Sequence, residues 1–188
     1  MSKQLSDKFG QGLTPEQFIN SMKTNQNALR QWMDAFSWDN EEDREFFESL
    51  QNRDDLRCLL VAAEWCGDVV RNVPVIFRSL ENSGIPVEVL ILEQHLDVID
   101  QFLTMGGRAI PVAIFTDTGG HVLGTWGPRP KHVQAVMTAF KQKNPDREAP
   151  DYQDKIAVAR QEMMRQYGEG TGYQKVIVKE LRDLLSSF

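Results

Sequence analysis

Apolar residues early in the chain recur at the three- and four-residue spacing of amphipathic helices. Phe18, Ile19, Met22, Leu29, Trp32, Met33 and Phe36 follow it, with a break near Asn25 to Asn27. Thr14-Pro15-Glu16-Gln17 predicts the start: Thr14 can accept from free first-turn amides, Pro15 suits the first helical position, and Gln17 can complete a reciprocal capping box. A second helix is predicted from Asn40 to about Gln51, with Phe46, Phe47 and Leu50 on its apolar stripe. Glu41, Glu42, Asp43 and Glu45 read as its solvated face, carrying favourable charge near the helix N-terminus.

The period changes at Leu56. Cys58-Leu59-Leu60-Val61-Ala62-Ala63 is an almost continuous apolar run, as expected of a strand covered on both faces. Asp68 to about Asn82 predicts a helix with Val69, Val70, Val73, Ile76, Phe77 and Leu80 turned inward and Ser83-Gly84 as its stop. Pro74 inside it is expected to kink the helix or open one hydrogen bond, a local cost of about 3 kcal/mol. Pro86 to Leu92 reads as a second strand, and Leu96 to Met105 as a helix ended by Gly106-Gly107. Ala109 to Thr116 and His121 to Trp126 flank Asp117-Thr118-Gly119-Gly120, which predicts an antiparallel hairpin, and a helix from about Lys131 to Lys141 follows.

This β-α-β-α series with a closing hairpin and helix predicts an α/β fold, a mixed central sheet flanked by helices. Beyond Asn144-Pro145-Asp146, residues 145 to 166 read as a polar helix and Gly168 to Gly172 as a flexible break. Tyr173 to Phe188 then places Val176, Ile177, Leu181, Leu184 and Leu185 on one helical face, a C-terminal appendage that docks on the domain or on a partner. The glycines near 170 lack the preceding strand and the spacing of a phosphate loop, so they read as a linker.

Composition changes the picture by exclusion. A chain of 188 residues can bury a substantial core, and a net charge of -6 argues against a nucleic-acid partner. Met1 to Gly10 is polar and lacks the apolar run of a signal peptide. No stretch approaches the ~18 apolar residues of a membrane span, so a cytoplasmic protein without a membrane partner is expected. Two cysteines are too few for a disulfide framework, and the three histidines show no metal-ligand spacing. No metal and no other cofactor is expected.

Candidate chemistry centres on Glu64-Trp65-Cys66-Gly67-Asp68, between the buried strand and its helix. A cysteine at a helix N-terminus meets unpaired N–H groups and the positive end of the dipole, both of which favour thiolate. Asp68 opposes this by repulsion and by competing for the same amides, and Arg71 compensates if it turns back toward the sulfur. The balance is not fixed by these residues alone.

Ala63-Glu64-Trp65-Cys66-Gly67 resembles the active-site segment of the thioredoxin family, and the likeness extends further. Pro74 stands where that family has a proline in the active-site helix, and Gly107-Arg108-Ala109-Ile110-Pro111 before Val112 to Phe115 is similar to its cis-proline loop and following strand. Gly127 lies where the family has a glycine after the last strand. The resemblance implies a thioredoxin fold over residues 52–142, with an added N-terminal helical extension packed on the domain (1–51) and a C-terminal helical appendage (143–188). It also implies a catalytic Cys66, with Trp65, Gly67, Ile110 and Pro111 contacting substrate and Asp68, Arg71 and Arg108 modulating the site. Arg108 reads either as an anchor for an acidic ligand group or as a plain surface residue.

The family's resolving cysteine falls at Val69 and its buried acid at Leu60, so neither is present. Cys58 lies about 25 Å upstream along an extended strand, while a disulfide needs a Cα separation under about 7 Å. Cys58 therefore reads as core. Two functions remain open. One is a monothiol redox protein in which Cys66 forms mixed disulfides with a protein or low-molecular-weight disulfide, resolved by an external thiol. The other is a non-catalytic binding module using the Pro111 loop surface.

Overall fold

The computed structural model describes residues 3–188, so Met1 and Ser2 of the polar opening stretch lie outside the described residues. Three helices precede the sheet: α1 (Pro15–Ser21), α2 (Gln26–Ala35) and α3 (Glu41–Ser49). Thr14 starts α1 as its chemistry predicts. Its hydroxyl accepts from the Gln17 N–H at 3.1 Å while the Gln17 side chain accepts from the Thr14 N–H at 2.9 Å, a device worth about 1 kcal/mol. The predicted break is the α1–α2 junction, where Asn25 adopts a φ of 62°. Asn40 caps α3 by accepting from the Asp43 N–H at 2.8 Å.

The central elements are β1 (Leu56–Ala62), α4 (Gly67–Leu80), β2 (Val87–Ile91), α5 (Leu96–Ile99), β3 (Val112–Asp117), β4 (Val122–Trp126) and α6 (Lys131–Lys143). The four strands form one sheet in the order β2-β1-β3-β4. β1 runs parallel to β2 and antiparallel to β3, and β4 is antiparallel to β3. This is the mixed, helix-flanked sheet of the thioredoxin fold. Leu59, Leu60, Val61 and Ala62 are wholly buried, so the continuous apolar run does mark a strand covered on both faces. The free edge of β2 is covered by the chain before α1, where Leu13 and Val89 exchange backbone hydrogen bonds of 2.7 and 2.9 Å.

Pro74 opens one hydrogen bond, as its chemistry predicts: α4 continues through it and the Val70 carbonyl is left without its helical donor. The helix predicted over Leu96 to Met105 is a single turn ending at Ile99. Beyond it the amides of Gln101 and Phe102 bond only three residues back, at 3.0 and 2.9 Å. Met105 and Gly106, with φ of 52° and 76°, then turn the chain so that Thr104 and Gly107 pair. The glycines taken as a helix stop build a tight turn instead.

The C-terminal segment forms α7 (Tyr152–Tyr167) and α8 (Gly172–Leu185). α7 starts later than residue 145 because Asp146 accepts from the Glu148 N–H at 3.0 Å and holds a turn there. Its Tyr152, Ile156, Ala159, Met163 and Tyr167 are all buried, a stripe hidden within a polar composition. α8 crosses β4 at Gly124, where a Cβ would come within 2.8 Å of Leu184. Arg182 ties α8 to α3 through a 2.8 Å ion pair with Asp43, and the Arg53 guanidinium bonds the Phe188 carbonyl. No helix among the described residues is long and apolar enough to cross a membrane.

Candidate functional site

β1 leaves the sheet at Ala62, and a turn closed by the Cys66 N–H on the Ala63 carbonyl (3.3 Å) delivers Cys66 to the N-cap of α4. Cys66 is half-buried. Its thiol points at the loop that carries Pro111, donating to the Ile110 carbonyl at 3.5 Å. The Ile110–Pro111 bond is cis. Gly127 explains itself here: a Cβ at that position would come within 2.1 Å of the Pro111 carbonyl oxygen, so only glycine lets β4 end against the proline loop.

The balance left open by sequence resolves upward. Burial raises the Cys66 thiol above its ordinary value, and the Asp68 charge adds to that; the Val69 and Asp68 amides and the Arg129 charge pull the other way and do not prevail. The sulfur is a thiol at neutral pH. Val69 and Leu60, which occupy the positions of the resolving cysteine and buried acid, are wholly buried. Cys58 is buried in β1, its thiol pushed up to about 12 by burial, and the two cysteines are unpaired.

A polar cluster that the sequence did not announce surrounds Asp68. The Arg129 guanidinium donates to Asp68 Oδ2 through Nε at 2.9 Å and Nη2 at 2.8 Å. The Tyr167 hydroxyl, from α7, donates to Asp68 Oδ1 at 2.7 Å and accepts from Asn72 Nδ2 at 2.8 Å. Asn72 also donates to the Pro128 carbonyl at 3.1 Å. Burial and the Asp68 charge raise the Tyr167 hydroxyl far above its usual range, so it stays a donor. One signal was available: Asn72 lies four residues after Asp68, on the same face of α4. Arg129 and Tyr167 come from distant segments with no motif to mark them.

Other predicted residues are placed differently from one another. Trp65 is 58% exposed, its indole N–H donating to Glu93 at 2.6 Å. Gly67 is exposed, with open space where a Cβ would stand. Ile110 and Pro111 are buried, and the exposed part of their loop is Arg108. Arg108 is engaged by Asp100 at 2.6 and 2.8 Å. Arg71 does not turn back toward the sulfur: it lies 4.9 Å from the Trp32 and Tyr167 ring centres and 5.7 Å from that of Tyr173. Arg129 is the cation beside Asp68 in its stead. A cavity of about 710 Å³ between α1, α2 and α4 is lined by none of these residues.

Among solved structures, the crystal structure of an HIV epitope-scaffold matches with a TM-score of 0.66 at 17% identity, covering 99% of each chain. A protein of unknown function from Pseudomonas aeruginosa matches with a TM-score of 0.65 at 17% identity, covering 98% of each chain. At that identity both likenesses speak for the fold alone. No curated protein matches the chain. The thioredoxin family profile matches residues 12–141, from the residue before the edge pairing of Leu13 into α6. With well over half its length under that profile, the chain belongs to the thioredoxin family.

Proposed function

We propose that this protein is a monothiol redox protein that exchanges with protein or low-molecular-weight disulfides through Cys66. The observation that carries the reading is the position of its sulfur, at the mouth of α4 and 3.5 Å from the carbonyl that precedes cis-Pro111. In the first step the Cys66 thiolate attacks one sulfur of R–S–S–R′. The Cys66–R disulfide forms, the R–R′ disulfide breaks, and R′ leaves as a thiolate that takes up a proton. An external thiolate then attacks the sulfur of R, releasing the Cys66 thiolate and forming a disulfide between the external thiol and R, so that R′ leaves reduced and the disulfide passes to the external thiol. The external partner is required because position 69 is valine. A cytoplasmic setting supplies such thiols.

The raised thiol sets the tempo. Little thiolate is present at neutral pH, so attack is slow, and a basic thiol is also a slow leaving group, so the mixed disulfide persists. This favours capture of a partner over rapid turnover. A second reading, a binding module in which Cys66 takes no part, draws support from the same raised thiol and from the exposed Trp65.

Folded protein incubated with 2-hydroxyethyl disulfide at pH 8.5 tests the choice by intact-mass spectrometry. The expected result is one adduct on Cys66, reversed by free thiol and absent from Cys66→Ser, with no turnover of insulin disulfides by the protein alone. A folded protein that forms no adduct, while the urea-unfolded chain does, leaves the binding module. Efficient insulin reduction without added thiol would overturn the monothiol mechanism.

A further inference from the structure

A cavity of about 180 Å³ opens between α6, α7 and the chain leading to the proline loop. Three of its lining residues are cations, Arg129, Lys141 and Arg160, and no carboxylate lines it, although the whole chain carries a net charge of -6. Arg129 is held by Asp68. Among the described residues Lys141 and Arg160 enter no ion pair. Partial burial, and after it the charges of Arg147 and Arg129, make the Lys141 ammonium easier to deprotonate. The remaining surface includes an apolar wall of Met137, Ile156 and Met163.

Crowded cations beside an apolar wall make an unfavourable surface when only water fills it, and one kind of occupant offsets both defects at once. We infer that this cavity binds a small organic carboxylate, whose head group is held by Lys141 and Arg160 and whose aliphatic part lies on Met137, Ile156 and Met163. Charge-assisted hydrogen bonds in a partly desolvated setting hold the head group. Inorganic phosphate satisfies the cations and leaves the apolar wall uncovered, which makes chain length the deciding variable. The site does not depend on the thiol chemistry of Cys66, although Arg129 and Ala109 place it next to that centre.

The test follows the methyl resonances of Met137 and Met163 in the full chain, titrated with acetate, butyrate, hexanoate and inorganic phosphate at constant ionic strength. Saturable shifts are expected with the carboxylates, and affinity rises about fourfold per methylene added until the cavity is filled. Lys141→Gln and Arg160→Gln each weaken hexanoate binding about tenfold or more. Lys155→Gln, which removes a cation of α7 paired with Asp151 outside the cavity, leaves it unchanged. Cys66→Ser also binds normally, which separates failure of this site from failure of the redox reading. Absent saturation, phosphate binding as tightly as hexanoate, or indifference to both cavity substitutions would overturn the proposal. Should a variant not fold, the chain-length series on the native protein decides by itself.

Discussion

The interior of β1 and the point where β1 gives way to α4 each hold a cysteine, and the two sulfurs live in opposite surroundings. Cys58 sits between Val87 and Phe115 in neighbouring strands, with nothing but burial acting on its thiol, which is driven up to about 12. Cys66 has left the sheet. It too is raised by burial, but two backbone amides and the Arg129 charge act against that rise. A strand uses its own N–H groups in pairing and offers a side chain only desolvation; a helix N-terminus has spare donors. Position in the fold, more than residue type, separates a sulfur enclosed in the core from one half-buried at a helix mouth.

The largest expected effect tests that separation directly. Iodoacetamide at pH 8.5 should label Cys66 in the folded protein, while Cys58 waits for unfolding and reacts at least about 10³-fold more slowly than in urea. Equal labelling of both by peptide mass spectrometry would erase the comparison.

A smaller effect concerns stability against pH. Cys58 is a thiol whose folded pKa lies above its unfolded one, so the folded state holds the proton more tightly. Its stabilising contribution is complete below the unfolded value of about 8.5 and is lost as pH rises toward about 12. Urea melts should show about 2 kcal/mol lost to this group between pH 8 and pH 10, and Cys58→Ala should flatten that part of the slope. The tyrosines raised by burial act at higher pH and remain in the variant. An unchanged slope in Cys58→Ala would remove Cys58 from the account.

The finest test acts on Cys66 alone. Asp68→Asn takes away a charge that raises the thiol and should shift its alkylation profile to lower pH, while Arg129→Gln should shift it to higher pH, each by up to about one unit. Tyr167→Phe removes a donor to Asp68 without changing charge and should move the profile least. Shifts of the same sign for Asp68→Asn and Arg129→Gln would show that the cluster supports the fold and does not tune the sulfur.

Legibility followed the range of the interactions. The Thr14 capping box, the covered run of β1 and the Asp117 to Gly120 hairpin turn are local, and each was readable from adjacent residues. The helix over Leu96 to Met105 misled because Gly106 closes a turn as readily as it stops a helix, and local pattern does not distinguish the two. Arg71 and Arg129 show the same limit in the site. Both are cations, yet the rings of Trp32, Tyr167 and Tyr173 hold one and Asp68 holds the other. Those partners come from separate segments.

The amino-acid order by itself determined the α/β architecture, the family resemblance, the presence of one cysteine at a strand-to-helix junction and the lack of a second one three residues later. These follow from periodicity, turn residues and residue identity, all of which act over a few positions. Tertiary structure alone decided that the Cys66 thiol is raised, that α7 reaches the site through Tyr167, and that Lys141 and Arg160 share a cavity without an acid. Burial and charge proximity depend on where distant segments come to rest, and at distances of a few ångströms they outweigh anything the neighbouring residues specify.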